Sequence, residues 1–544
     1  MHPKGLALVV TVVIPALLAC APAAQAPRPD SGRSDGTSRI GGQLNMRQSE
    51  NPYDWDMSYA GKSSPNDSGI GYAYNSLLGF KSPPEVKYAE MVVRPELADR
   101  WEPSQDGKVF TFHLRSGVKF ANVPPVNGRE LTSADVKWSI EYWTRTGQFK
   151  DVKLPKGQFD YMYEGLEGVD TPDKYTAVVR FKEPFVPFLN YMASDWNPVV
   201  PREIYEQDGH LKDIIAGSGP FQLDAATSQK GTRWVWKKNP TYWEAGKPYL
   251  DEIRWLILPD ESTMKAAFQT KQLDYVYNLA FGDYQDVRKN NPQAVEFKYV
   301  QPRGYHLYLS NAKGGPFTDV RVRRAAALAI DRDEINKVVA GGQGIWAVPG
   351  AMADLFTEAE AKQLQRQDVE AAKKLMAEAG LAGGVNLDWP ILNDEARANL
   401  TWFQLIQAQL KRAGFNVTFD PMDKVTQRQK KYSGDYDLDS GVGLGGLEAD
   451  IDSMLYGPYH STSSGNWSKA KDSELDKLLV AQRREPNPEK RREILREAAK
   501  RIVDQAWGIE LIYPPKWDLL HPHMKNFAPH FGNRTGEAFA WLDK

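Results

Sequence analysis

Phe110-Thr111-Phe112-His113-Leu114-Arg115 alternates apolar and polar side chains, a period of two that predicts a half-buried strand broken by Gly117. Similar runs at Thr176 to Phe181 and Trp255 to Leu258 predict further short strands. Between them Thr132-Ser133-Ala134-Asp135 carries a capping-box start, and Val136, Ile140 and Trp143 follow at i, i+4 and i+7 on one helical face. From about Tyr305 the texture changes to longer helical periods at Asp319 to Ile330, at Asp331 to Ala340 stopped by Gly341-Gly342, and at Val369 to Ala379 stopped by Gly380. Leu400 to Ala413, ended by Gly414, runs directly into the strand-like Phe415-Asn416-Val417-Thr418-Phe419, a helix-to-strand return of an α/β unit. Two amphipathic helices, Ser473 to Arg484 and Pro488 to Asp504, precede the turn-rich Ile512-Tyr513-Pro514-Pro515. The pattern predicts mixed α and β with short strands in the first half, an α/β lobe in the second, and no internal repeat.

One apolar run stands apart from this texture. It extends from about Gly5 to Leu18 behind Lys4, too short for a permanent span, and ends at Leu17-Leu18-Ala19-Cys20. Cys20 is the only cysteine. The arrangement resembles a bacterial lipoprotein signal, which implies a signal peptide over 1–19 and lipidation of Cys20. Residues 20–39 are rich in Ala, Pro, Ser, Gly, Asp and Arg, the composition of a flexible linker. The expected location is the cell envelope, with the protein lipid-anchored outside the cytoplasmic membrane and no other membrane contact.

The stretch from Ile40 to Lys544 is long enough for two or three domains. Lys plus Arg is 68 against 70 for Asp plus Glu, so the net charge of -2 argues against nucleic acid as the partner. A single cysteine forbids an internal disulfide and leaves stability to packing. The 16 Trp call for a large aromatic core, a ligand-stacking cleft, or both.

Several segments carry a more specific signal in their order and spacing. They are Leu97-Ala98-Asp99-Arg100-Trp101-Glu102 with Asp106-Gly107, then Arg115-Ser116-Gly117-Val118-Lys119-Phe120, and Leu131-Thr132-Ser133-Ala134-Asp135-Val136. Gly217-Ser218-Gly219-Pro220-Phe221, Asn239-Pro240-Thr241-Tyr242-Trp243, Phe317-Thr318-Asp319-Val320-Arg321-Val322-Arg323 and Ala329-Ile330-Asp331-Arg332 continue the series. Together they resemble the large solute-binding proteins of bacterial ABC importers in the peptide and nickel class, family 5. The resemblance implies an α/β, two-lobed periplasmic-binding-protein-like fold of the class II type with an extra subdomain in lobe one. Lobe one would be 40–303 plus 512–544, with the subdomain over about 85–205, and lobe two 304–511. Hinges are expected near Gln301 to Tyr305 and Glu510 to Tyr513.

No set of catalytic spacings offers a competing reading. A His-Glu-x-x-His helix, a Gly-x-Ser-x-Gly turn after a strand, and a phosphate-cradling Gly-x-x-x-x-Gly-Lys run are all missing from the sequence. Gly342-Gln343-Gly344 follows a helix rather than a strand and reads as a loop. His521-Pro522-His523 reads as an exposed loop without a carboxylate cluster for a metal. The chain is not expected to be an enzyme, and neither metal nor cofactor is expected.

In the resembling family the region equivalent to Asp439 to Asp452 faces the cleft and, in dipeptide binders, supplies an aspartate for the ligand's amino group. Here glycine or leucine occupies that position, with Glu448 one or two residues away, and Trp346 lies roughly where those binders have an arginine. Asp450 and Asp452 are expected to cap the helix that starts at Ser453. Candidate ligand-binding residues are Trp55, Gly217, Ser218, Trp346, Gly445, Glu448 and His460; Trp101, Trp138 and Trp243 match positions that look structural. The expected function is capture of an oligopeptide, largely through backbone hydrogen bonds, for delivery to ABC permease transmembrane subunits by a monomer. An oligosaccharide is the alternative ligand, and a secreted hydrolase the remote alternative.

Overall fold

The computed structural model describes residues 40–52, 55–56, 69–83, 85–152, 160–301, 304–312, 314–349, 355–393, 400–442, 450–531 and 536–543. Cys20 and the proposed signal and linker lie outside the described residues.

Alternation builds the central strand. In Gln43–Gln48 the buried positions are Leu44, Met46 and Gln48, every second residue. This strand runs parallel to Glu252–Ile257, from Gln43 opposite Glu252 to Gln48 opposite Ile257, and parallel to Tyr275–Leu279 on its other side. A seven-stranded sheet results, in the order Val295–Val300, Pro515–Leu520, Tyr275–Leu279, Gln43–Gln48, Glu252–Ile257, Arg233–Lys238, Phe221–Leu223. Pro515–Leu520 inserts antiparallel between two strands more than 200 residues earlier, so the end of the chain returns to the sheet that its beginning started.

An extra antiparallel sheet of Ala98–Pro103, Val109–Leu114, Thr176–Phe181 and Leu166–Asp173 belongs to the same lobe. The predicted helix packs on it as Ser133–Thr144. Its capping box is formed: the Asp135 carboxylate accepts the Thr132 N–H at 2.9 Å.

The second lobe is built around Leu438–Val442, Tyr305–Leu309 and Gly508–Glu510, with a parallel pair, Val385–Leu392 and Phe415–Met422. Helix Leu400–Arg412 joins that pair, as its sequence pattern predicts. Helix Arg332–Ala340 starts at Asp331, whose side chain accepts from Glu334 N–H, and ends at Gly341. Gly341 has φ +58°, and a Cβ there would lie 2.5 Å from the Phe281 ring, so conformation and space both require glycine.

Two main cores follow. One gathers Phe112, Phe188, Trp236 and Trp255; the other gathers Leu307, Trp389, Phe403 and Phe415. Helices Asp452–Tyr459, Ser473–Arg484 and Pro488–Gln505 lie between the two: their Leu455, Leu479 and Ile502 join the hydrophobic cluster of the first core, and the last of them packs on helix Val320–Ala329 and strand Gly508–Glu510 of the second lobe. No helix among the described residues is long and apolar enough to cross a membrane.

Candidate functional site

Three parallel strands, Gln43–Gln48, Glu252–Ile257 and Tyr275–Leu279, end on the same edge of the first sheet. In open α/β sheets ligands bind beyond the carboxyl ends of such strands. There the Tyr277 hydroxyl donates to Gln48 Oε1 at 3.5 Å, and Gln301 Nε2 donates to Asn278 Oδ1 at 3.0 Å. Asn278 sits in the left-handed region at φ 58° and is held by its N–H, which donates to Asp518 Oδ1 at 2.8 Å. Asp518 is buried and also accepts from the Tyr275 and Tyr299 hydroxyls, each at 2.5 Å. Burial pushes the Asp518 carboxyl up to about 6 despite these donors.

Both chain crossings from the seven-stranded sheet to the sheet of Leu438–Val442, Tyr305–Leu309 and Gly508–Glu510 pass beside this edge. A Cβ on Gly304 would lie 3.1 Å from the Tyr513 ring, and the Leu511 N–H donates to Tyr305 O at 2.9 Å, so the crossings lie side by side. On the far side of them Tyr305 pairs with Val442, which brings the end of strand Leu438–Val442 to the first crossing. Gly445 and Glu448 lie outside the described residues. The Tyr305 ring stacks on Trp402 at 5.0 Å, and burial raises the Tyr305 hydroxyl above its ordinary range. The buried Trp402 indole N–H has no hydrogen-bond partner among the described residues. Next to the pair, His306 faces Glu510 across neighbouring strands, Nδ1 to Oε1 3.0 Å, with both side chains largely buried.

The described candidate residues fall in four neighbourhoods. Trp55 is 8% exposed and packs edge-on against Trp234 and Trp236, with centroids at 5.8 and 6.2 Å. Gly217 and Ser218 abut the segment 72–75: a Cβ on Gly217 would meet Ala73 O at 1.9 Å, while Ser218 Oγ donates to Asn75 Oδ1 at 3.1 Å. Trp346 pairs with Ile512 at the second crossing, and its indole N–H is committed to Asp333 Oδ1 at 2.8 Å. His460 stacks on Tyr456 at 4.2 Å, and burial holds its imidazole below the ordinary range. Trp138 joins an aromatic cluster with Tyr142, Phe149 and Tyr205, and Trp243 lies under the Arg115 guanidinium, both structural placements. Trp101 lies half-buried on the edge strand Ala98–Pro103.

Two expectations need correction. Asp450 Oδ1 does accept the Asp452 N–H at 2.9 Å, but helix Asp452–Tyr459 has no side-chain cap and Asp452 is its first residue. Both carboxylates are instead bound by arginines, Arg491 on Asp450 and Arg483 on Asp452. Carboxylates this deeply buried need a cation more than a helix start needs a cap. His521 is not exposed: it is buried, stacks on Phe268 at 4.2 Å, and its Nε2 lies 3.0 Å from Phe268 O, while His523 Nε2 lies 2.6 Å from Asp274 Oδ1. No group of three or more metal-ligating side chains is placed to hold an ion among the described residues.

Sequence reasoning missed Gln48, Tyr277, Asn278, Gln301, Tyr305 and Trp402 as the groups that meet at the crossings. The pattern predicts no strand at Gln48 or at Tyr277-Asn278 and puts Trp402 in a helix; the one signal available is the expected hinge at Gln301 to Tyr305.

Comparison with known proteins agrees with this architecture. Residues 92–466 match the family described as bacterial extracellular solute-binding proteins, family 5 Middle. A dipeptide-binding protein from Escherichia coli (strain K12) is 27% identical over 487 residues, 85% of this chain and 88% of that one. The fold is shared with an ABC transporter-associated periplasmic binding protein from Helicobacter pylori in complex with the peptide STSA, with TM-score 0.79 and 22% identity over 93% of this chain and 99% of that one. It is equally shared with the PBP AgaA from A. tumefaciens R10 in complex with agropinic acid, with TM-score 0.79 and 24% identity over 92% and 99%.

Proposed function

The chain belongs to the bacterial extracellular solute-binding proteins, family 5, and from that premise we propose that it captures an oligopeptide between its lobes and delivers it to the permease subunits of an ABC importer. The lobes in this reading are 40–303 plus 512–544 and 304–511, with a subdomain over about 85–205. The hinges are the crossings at Gln301 to Tyr305 and Glu510 to Tyr513. A signal over 1–19 and lipid on Cys20 would keep the monomeric protein in the cell envelope, anchored outside the cytoplasmic membrane. Ligand that touches both lobes only when they close shifts an open-closed equilibrium, and no covalent chemistry is needed.

One observation carries the peptide reading. The groups that meet at the crossings, Gln48, Tyr277, Asn278 and Gln301, are neutral donors and acceptors, the kind that main-chain amides satisfy whatever side chains the ligand bears. The peptides bound by the E. coli and H. pylori relatives support the same class. A second reading, an oligosaccharide, is favoured by the Tyr305–Trp402 stack and its unpartnered indole N–H, which together would suit a sugar face and a hydroxyl.

Native mass spectrometry of the purified protein before and after refolding, followed by a thermal-shift panel of peptides and oligosaccharides, separates these readings. A retained peptide, or stabilisation by peptides alone, supports the first; stabilisation by sugars alone replaces it with the second. Consumption of a panel member would make the protein a hydrolase and sink both.

A further inference from the structure

We propose that Asp450, Asp452, Arg483 and Arg491 form a latch in the second lobe onto which Glu164, Asn190 and Tyr191 of the first lobe's subdomain close. The inference rests on the lobe assignment given above. On the second-lobe side the cluster satisfies itself. Arg483 binds Asp452 through two hydrogen bonds, Nε to Oδ1 at 2.9 Å and Nη2 to Oδ2 at 2.7 Å. Arg491 binds Asp450, Nη2 to Oδ1 at 2.5 Å and Nη1 to Oδ2 at 3.2 Å, and also donates to Gln482 Oε1. Gln482 Nε2 in turn donates to Asp452.

The first lobe then adds a short set of groups from one stretch of chain. The Tyr191 hydroxyl donates to Asp452 Oδ2 at 2.5 Å, and Asn190 Nδ2 donates to Asp450 Oδ2 at 2.9 Å. The Val186 N–H donates to Arg483 O at 2.8 Å, and Arg483 Nη1 pairs with the Glu164 carboxylate. The Arg483 guanidinium lies 5.3 Å from the Phe185 ring centroid and 3.2 Å from that of Tyr456, so one cation spans rings from both sides.

This division of labour suits a reversible contact. When the lobes part, each buried carboxylate keeps its own arginine, so no charge is left uncompensated. Asn190, Tyr191 and Glu164 exchange their partners for water. Hydrogen bonds from neutral donors to ionised acceptors are stronger than neutral pairs, yet their net worth against water is modest. The contact therefore biases the closed form without locking it, and it adds to ligand affinity from a place that touches no ligand.

Electron–electron distance measurement tests this on the full chain carrying Cys20→Ser, with spin labels at Lys182→Cys and Lys374→Cys, ligand-free and with a tryptic casein digest as the peptide probe. Tyr191→Phe is expected to lower the closed-to-open ratio roughly tenfold, about the worth of one hydrogen bond to a charged group. The combination Glu164→Gln, Asn190→Ala, Tyr191→Phe is expected to lower it further. The melting temperature of the ligand-free variants should stay that of the parent, because the open form does not use these contacts. Equal ratios in parent and variants overturn the latch. So does a lowered ligand-free melting temperature with an unchanged ratio, which would place the contacts inside one rigid body. If the digest shifts nothing in the parent, the peptide reading fails while the ligand-free comparison still decides the latch.

Discussion

Arg483 grips Asp452 with a planar two-point contact, 2.9 and 2.7 Å, and both side chains are almost wholly buried. Burial pulls the Arg483 guanidinium down, but the Asp452 charge and hydrogen bonds more than reverse this and hold it above its ordinary value. Removing the carboxylate leaves a buried cation without its main partner. Asp452→Asn should cost about 3–5 kcal/mol in urea denaturation. The double change Asp452→Leu with Arg483→Met should recover most of that loss, because apolar side chains avoid the desolvation altogether. A double variant as unstable as the single one would mean that the pair also organises packing around Tyr191 and Tyr456.

The Gly-Ser-Gly-Pro loop makes a second prediction. A Cβ on Gly217 would lie 1.9 Å from Ala73 O, and one on Gly219 2.4 Å from Tyr72 O, so backbone presses on backbone with no flexible side chain to yield. Gly217→Ala should destabilise by at least about 1–3 kcal/mol, the usual range for overpacking. The measurement is the thermal midpoint of the ligand-free protein. A drop there shows that this loop holds the first lobe together, whatever it does for ligand.

Glu537 makes a pH-dependent prediction. It is buried with its Oε2 unpartnered, and burial, with Asp518 and Asp195 nearby, pushes its carboxyl up to about 7. In the unfolded chain the same carboxyl titrates near 4, so the folded state holds the proton more tightly. Stability from this group is fully present below about pH 4 and is lost as pH rises through 7. Glu537→Gln removes the ionisation. The variant should melt close to the parent at pH 5 and above it at pH 8, by up to roughly 3 kcal/mol. Parallel pH–melting curves for the two proteins would contradict this.

How much of this was legible in advance depended on distance along the chain. The helix starts at Thr132, Asp319, Asp331 and Asn487 were readable because each cap and its amide are within three residues of one another. The strand at Phe110 to Leu114 was readable because alternation is local, and Phe112 is indeed wholly buried. The placement of Pro515–Leu520 between Val295–Val300 and Tyr275–Leu279 was not, since no local pattern names a strand's neighbours. Asp450 and Asp452 looked like caps because capping is the nearest use for an aspartate before a helix. Their arginines come 41 and 31 residues later. The rings that Trp55 meets were not legible either, since Trp234 and Trp236 arrive from a strand far downstream.

Trp55 packs on Trp234 and Trp236, and its part in packing can be measured apart from the polar groups at the crossings. Trp55→Ala should remove an edge-on aromatic contact and open a cavity, costing about 3–5 kcal/mol in thermal or urea unfolding of the ligand-free protein. Tyr277→Phe removes one hydroxyl that donates to Gln48 Oε1 at 3.5 Å, a weak bond whose loss should leave the melting temperature nearly unchanged. If the crossings are the ligand site, that hydroxyl and the Gln48 amide would exchange partners for a bound amide. Tyr277→Phe should then weaken calorimetric binding of the retained ligand by about fivefold, the worth of one hydrogen bond near 1 kcal/mol. Trp402→Phe keeps a ring against Tyr305 and deletes the unpartnered indole N–H together with part of the buried ring volume, so its effect on binding is read after correction for the fall in melting temperature. For a peptide held through its main chain that change and Tyr277→Phe should weaken all peptides of a series alike, since neither group would read side chains. A loss confined to one member of the series would mean that the groups at the crossings read side chains, and would contradict binding through the main chain alone.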